Sequence, residues 1–313
     1  DHPNISDEVR ERVQRVIEET GYQPNLVARS LASRQSNILG LVIPSVVQSV
    51  FTDPYYPRLI QGISQACNEN DYTLSFFLFN DQDEEQKTFS RILGNGLIDG
   101  LIITADNFRT IFVPRLQEQQ MPFVMIGRPE DPTELSYVDA DNELGGYAAT
   151  KHLIEQGCER IATIATGYNT AGSDRMRGFH RAFREAELSV NDTLIVYGDF
   201  GQESGYKAME QLLPLEPDGV FVQSDTMALG AMQAVGEAGL SIPDDIAIVG
   251  FDDLPPAAIS IPPLTTIRQS IKDVGVVAVE TLLKHLQDPD LPTQHVTLPV
   301  ELIERATTRL VEA

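Results

Sequence analysis

Polar side chains able to hold a ligand stand directly behind two apolar runs. Ser224 and Asp225 follow GVFVQ, and Asp252 and Asp253 close the run IAIVGF. A carboxylate at the mouth of a strand can accept hydrogen bonds from hydroxyls or from an amine. The same residues also serve as plain ends of structure: Asp225 can N-cap the helix it opens, and the Asp252–Asp253 pair can make a turn. Tyr55 and Tyr56, adjacent in DPYY, are either packing or an aromatic platform. Nothing points to covalent chemistry. GxxxxGK[ST], HExxH, GxSxG and a GxGxxG behind a strand are all missing. The histidines at 2, 152, 180, 285 and 295 have no metal spacing, and His152 and His180 sit in amphipathic helices as packing or surface residues. Cys67 and Cys158 form no CxxC and read as reduced core residues. No catalytic residue, metal site or cofactor is expected, and the chain is not read as an enzyme.

A second chemistry is set by charge. The chain holds 46 acids against 23 Lys plus Arg, a net charge of -23, which disfavours general nucleic-acid binding. Yet Gly21 to Thr52 contain no acid, and their only charges are Arg29 and Arg34. Any contact with phosphates must therefore be local. Within that stretch, YQPNLVARSLAS has a helix start at Pro24 and Asn25 and room for about two turns, too few for a stable isolated helix. Val27 and Leu31 share one face. The stretch is either a linker or a helix that forms only against something else.

The elements around these residues alternate. ILGLVIP, TLSFFLF, GLIIT and FVMI, then IATIAT, TLIVYG, GVFVQS and IAIVGF, are short runs apolar on both sides, as parallel strands buried on both faces are. Amphipathic patterns such as YPRLIQGISQACNEN and RMRGFHRAFREAE fill the gaps, so the fold class is α/β with parallel sheets. A chain of 313 residues exceeds one ordinary core. Two similar doubly wound lobes are expected, joined near SYVDADNE. The tail (TTIRQS, a helix, then HVTLPVELIER) can cross between lobes more than once, making a hinged clamshell with its ligand outside the carboxyl ends of the strands. Ahead of the lobes, Ser6 can cap a helix with the stripe Val9, Val13, Val16 and Ile17, stopped at Gly21. No apolar run is long enough to span a membrane and no leader is visible, so a cytoplasmic protein with no membrane partner is expected.

Taken together, ISDEVRERVQRVIEETGYQPNLVARSLASRQSNILGLVIP, DPYYPRLIQGI, DNELGGYAATKHLIEQG, DRMRGFHRAF, GDFGQESGYKAMEQLL, SDTMALGAMQAVGEAGLSIPDDIAIVGFDD and PPLTTIRQ resemble, in order, the successive signatures of the lactose-repressor/galactose-repressor (LacI/GalR) family. The resemblance implies a ligand-responsive transcriptional regulator, cut within its helix-turn-helix DNA head, that binds operator DNA as a homodimer. It implies the remnant of the head over 1–21, a hinge helix over 22–37, one lobe over 38–138 plus 270–297, and the other over 139–269 plus 298–313. It places Asn25, Val27, Arg29 and Leu31 at the DNA, with Leu31 as the wedge between base pairs. It places Tyr55, Tyr56, Arg175, Phe200, Ser224, Asp225 and Asp252 at the effector, Arg175 as a planar fork for ligand oxygens unless it pairs with Asp174 or another acid at the surface. Where the family often has Asp, this chain has Gly127 followed by Arg128, a cation either solvated or suited to an anionic ligand. Between Pro44 and Pro54 its loop is also longer. The expected effector is a sugar or sugar derivative. The alternative is a periplasmic-type sugar-binding protein of the same fold.

Overall fold

A computed structural model describes residues 7–20, 35–43, 47–79, 82–94, 97–104, 112–167 and 169–309. It contains two six-stranded sheets, each covered by helices. The first sheet is built from β1 (Ile38–Ile43), β2 (Thr73–Leu78), β3 (Gly100–Thr104), β4 (Phe123–Ile126), β5 (Tyr137–Ala140) and β11 (His295–Leu298), in the order β11-β5-β4-β3-β1-β2, all parallel. In the second, β6 (Ile161–Thr166), β7 (Ile195–Gly198), β8 (Gly219–Val222), β9 (Ala247–Asp252), β10 (Thr265–Gln269) and β12 (Val300–Ile303) run in the order β12-β10-β9-β8-β6-β7. Only β12 among them is antiparallel to its neighbour.

The eight apolar runs all became strands because alternate residues of each enter opposite cores. Leu39, Leu41 and Ile43 of β1 pack with Leu59 and Val279, while Val42 faces Leu101 and Leu116. Phe221, Val249 and Phe251 share one core of the second lobe, and Val220, Val222 and Ile248 the other. The strand β5 lay hidden in the junction, and the final extended run is two strands in different sheets, divided at Pro299. Sheet membership changes at residue 141, again at Ser270 and again at Pro299. The first and last of these crossings lie side by side, since Asp141 N–H donates to Leu298 O at 2.9 Å.

Three pairs of helices close on glycines. Gly146 and Gly178 let the helices Asn142–Glu155 and Thr170–Glu185 touch: a Cβ at Gly146 would stand 2.1 Å from Arg175 O, and one at Gly178 2.1 Å from Glu143 O. Gly205 with Gly230, and Gly62 with Gly275, do the same for their pairs. The first helix, Asp7–Thr20, forms as expected, but Val9, Val13 and Val16 are each about half exposed. Ser6, Gly21 and the DNA-side residues Asn25, Val27, Arg29 and Leu31 lie outside the described residues. Among the described residues no helix is long and apolar enough to cross a membrane, and no cluster of candidate ligands could hold a metal.

Candidate functional site

In each sheet the chain reverses direction of winding between the first strand and its two neighbours: β1 between β2 and β3, β6 between β7 and β8. Such switch points leave a crevice at the carboxyl ends of the strands, where ligands of open α/β sheets bind. Arg175 is positioned at the crevice of the second lobe. It sits on the helix Thr170–Glu185, whose approach depends on Gly146. The guanidinium is buried at 4% exposure and stacks 3.6 Å over the Phe251 ring. Its Nε donates to Asn142 Oδ1 at 2.9 Å, and Nη1 donates to the Gln223 carbonyl at 2.5 Å. Its Nη2 stands 3.9 Å from Asp252 Oδ1, too far for a hydrogen bond, so N–H donors remain for a third party. The pairing with Asp174 weighed for this residue does not occur.

Asp252 ends β9 with φ 121, and Asp253 follows with φ 56. Two successive positive φ values at non-glycine residues cost about 1–3 kcal/mol each and persist only where neighbours hold them. They are held here. Gln269 Nε2 donates to Asp252 Oδ1 at 2.5 Å, and Asp253 takes Arg268 Nε at 2.7 Å as well as Arg305 Nη2. The turn reading and the ligand reading of this pair are thus compatible: Asp253 is the brace, and Asp252 faces Arg175.

Ser224, not Asp225, is the N-cap. Its extended backbone (φ -157, ψ 153) lets Oγ accept from Met227 N–H at 3.2 Å. Asp225 is fully buried and accepts from Leu254 N–H at 2.7 Å and from Thr266 Oγ1 at 2.6 Å. Both acceptors are thereby committed inside the protein. Leu254 in turn places its side chain in the core of the first lobe beside Leu59 and Ile271.

From the first lobe come Tyr55 and Tyr56, half-buried at the start of the helix Tyr55–Glu69, their rings edge to face at 5.5 Å. Tyr55 N–H donates to Asp53 Oδ1 at 3.0 Å. Burial, with the carboxylates of Asp139 and Asp252 nearby, pushes the Tyr55 phenol far up, so it stays a hydroxyl donor. Arg128 is partly exposed but not a free cation, because its charge is paired with Asp174. Its Nε and Nη2 grip Asp174 at 3.0 and 2.6 Å, its Nη1 donates to Pro129 O, and Asp174 also takes Arg177 at 2.6 Å. Phe200 lies on the turn after β7, half-buried with φ 70, and makes no ring contact with the Arg175 group among the described residues.

Asn142, Gln223, Gln269, Asp53 and Asp139 were not expected here. Asn142, Gln223 and Asp139 carry a readable signal, a polar residue at or just beyond a strand end, the same one that marked Ser224. Gln223 is fully buried, and its Oε1 accepts from Thr166 N–H and Oγ1. That fixes the amide, leaving Nε2 as a buried donor without a partner. Burial raises the carboxyls of Asp53, Asp139 and Asp225 and lifts Asp252 to about 7 against the pull of Arg175. The arrangement can therefore offer guanidinium, amide and phenol donors opposite carboxyl acceptors, which is recognition chemistry.

Comparison with known proteins gives the same direction. A family model described as a periplasmic binding protein-like domain matches residues 150–308. The chain is 33% identical to the ribose operon repressor of Halalkalibacterium halodurans over 309 residues, 97% of this chain and 89% of that one. It superposes on the transcriptional regulator CelR–cellobiose complex with a TM-score of 0.84 and 31% identity, covering 97% of this chain and 92% of the other. Against the lac repressor dimer bound to operator and the anti-inducer ONPF the TM-score is 0.83 at 26% identity, covering 97% and 91%.

Proposed function

The chain belongs to the LacI/GalR family of transcriptional regulators, and from that premise we propose that it binds operator DNA as a homodimer under control of a sugar-like effector held between its lobes. One observation carries the effector reading: Arg175 Nη2 and Asp252 Oδ1 stand 3.9 Å apart at the crevice, so one hydroxyl can accept from the first and donate to the second. Relatives point the same way, since one is a ribose operon repressor and one solved neighbour holds cellobiose. Tyr55 and Tyr56 supply the platform and its phenol donors. Ser224 and Asp225 shape the wall, and Phe200 closes its far side.

The lobes are taken as two bodies that exchange strands at residues 141, 270 and 299, close to the borders drawn from the sequence. In a regulator of this family the acid-free stretch lies against DNA phosphates, with Asn25, Val27 and Arg29 at the backbone and Leu31 as the wedge. The protein works in the cytoplasm and is not an enzyme. A periplasmic binding protein shares the fold, but the match to a DNA-binding regulator extends over 97% of this chain. Two exposed isoleucines in the second lobe, Ile259 at 80% and Ile261 at 94%, suit burial against a second copy.

The test is operator binding by the full-length chain, with and without ribose and cellobiose. Leu31→Ala should weaken operator binding by tenfold or more and leave sugar affinity in the absence of DNA unchanged. Ile261→Asp should move the sedimentation pattern toward monomer. An operator affinity indifferent to every sugar and to Leu31→Ala would defeat the reading.

A further inference from the structure

Resting on the reading of the crevice as the effector site, we propose that it selects an uncharged or amine-bearing polyhydroxylated ring and turns away phosphorylated and carboxylated counterparts of the same ring. Arg128 stands next to the crevice and, from the sequence, was the group able to receive an anion. Three of its five N–H groups are engaged, two on Asp174 and one on the Pro129 carbonyl, so its charge is already paired with a carboxylate. Arg58 is turned to the Asp253 carbonyl at 3.1 Å, and Arg268 and Arg305 are bound to Asp253 itself. Arg177 is shared between Glu143 and Asp174. Arg175 is the buried guanidinium of this group, its Nε and Nη1 bonded and its Nη2 3.9 Å from Asp252, whereas Arg58, Arg177 and Arg268 are exposed to water.

Against it stand carboxyls from both lobes. Asp252 faces Arg175 directly, the Asp53 charge acts on Asp252, and Asp139 acts on both Arg175 and Tyr55. An incoming phosphate or carboxylate could reach Arg175 only by competing with Asp252, and it would do so under repulsion from the other acids in a poorly hydrated place. A hydroxyl meets no such barrier, because it gives a proton to the carboxylate side and accepts one from the guanidinium side. An ammonium group finds acceptors already present. The raised titration of these carboxyls agrees, since each already resists carrying its own negative charge. Gln223, whose carbonyl takes Arg175 Nη1, has a buried and unpartnered Nε2, a neutral donor rather than another charge.

The experiment uses matched series on the full chain: glucose with glucosamine, glucuronate and glucose 6-phosphate; galactose with galactosamine and galacturonate; ribose with ribose 5-phosphate; cellobiose with cellobionate. Thermal shift finds the binders, and calorimetry measures them. The expected result is an uncharged member that binds, its amine at least as tightly, and its anionic forms on the order of 100-fold more weakly. Asp53→Asn should narrow that anionic penalty by about tenfold, which a clash of size would not do. The proposal is overturned if an anionic member binds as tightly as its parent, if no uncharged or amine-bearing member binds, or if Asp53→Asn leaves the penalty unchanged. The underlying reading fails separately: a sugar whose affinity is indifferent to both Asp252→Asn and Tyr55→Phe is bound somewhere other than this crevice.

Discussion

The second lobe brings finished machinery to the crevice and the first lobe brings unfinished parts. Arg175, Asp225, Asp252 and Asp253 are each fixed by partners mostly within their own lobe: Asn142 and Gln223, Thr266 and Leu254, Gln269, Arg268 and Arg305. The polar groups of the first lobe instead reach outward. Arg128 holds Asp174, Arg58 holds the Asp253 carbonyl, and Asp53 bonds the Thr226 side chain. These bonds exist only while the lobes are together. If the crevice holds the effector as proposed, the difference implies a division of labour: one lobe would read the ligand with a prearranged surface, and the other would report the reading by how far it has closed.

The sharpest way to break this contrast is to remove one guanidinium from each side. Arg175→Met strands Asn142 Oδ1, the Gln223 carbonyl and the buried Asp252 charge, and should cost about 3–5 kcal/mol in urea unfolding. Arg128→Met should cost about 1 kcal/mol or less, because its side chain is 25% exposed and Asp174 keeps Arg177. Equal losses would erase the distinction. Next in size, Gly146→Val drives a side chain into the Arg175 backbone and should cost about 1–3 kcal/mol. Sugar affinity should fall at least tenfold with it, since the fork is displaced as a unit.

A smaller effect sharpens the contrast through pH. Burial holds Asp252 at about 7 in the folded chain, above the ordinary value of about 3.9 in an unfolded one. The folded state therefore binds the proton more tightly between these values. Stability from this group is complete below about pH 4 and is lost as pH rises through about 7. Asp53, Asp139 and Asp225 shift in the same direction. Asp252→Asn should flatten that part of the ligand-free stability curve, measured by urea midpoints from pH 4 to 8. The smallest effect concerns motion: Arg128→Met should speed amide exchange along the helix Thr170–Glu185 around Asp174 and leave the β8–β9 region unchanged.

Much of this was legible in the sequence, and the illegible part has a physical reason. Strands buried on both faces announce themselves as apolar runs, and all eight could be read. YVDA could not, because four residues with an acid in third place look like a loop until a sheet covers them. Asp252 carried a signal in residue type and position, while Arg175 came only from the family resemblance. The fate of Arg128 did not, since its partner lies 46 residues away and only the closed arrangement brings them together. Nor could Ser224 be told from Asp225 as the cap, because both types cap helices and the choice is made by a backbone angle. Asn142 and Gln223 were within reach of the rule that found Ser224, had it been applied to amides.

The three passages of the chain between lobes, at residues 141, 270 and 299, set what kind of movement is cheap. A single tether lets two bodies swivel, twist and slide in any direction. Three tethers, two of them bonded to each other through Asp141 and Leu298, resist torsion and translation more than one does and yield more readily to bending. The molecule is thereby left with essentially one soft degree of freedom, a door rather than a ball joint. Ligand contacts anywhere in the crevice must project onto that one coordinate, so chemically different sugars would produce the same motion and differ only in how far along it they hold the lobes.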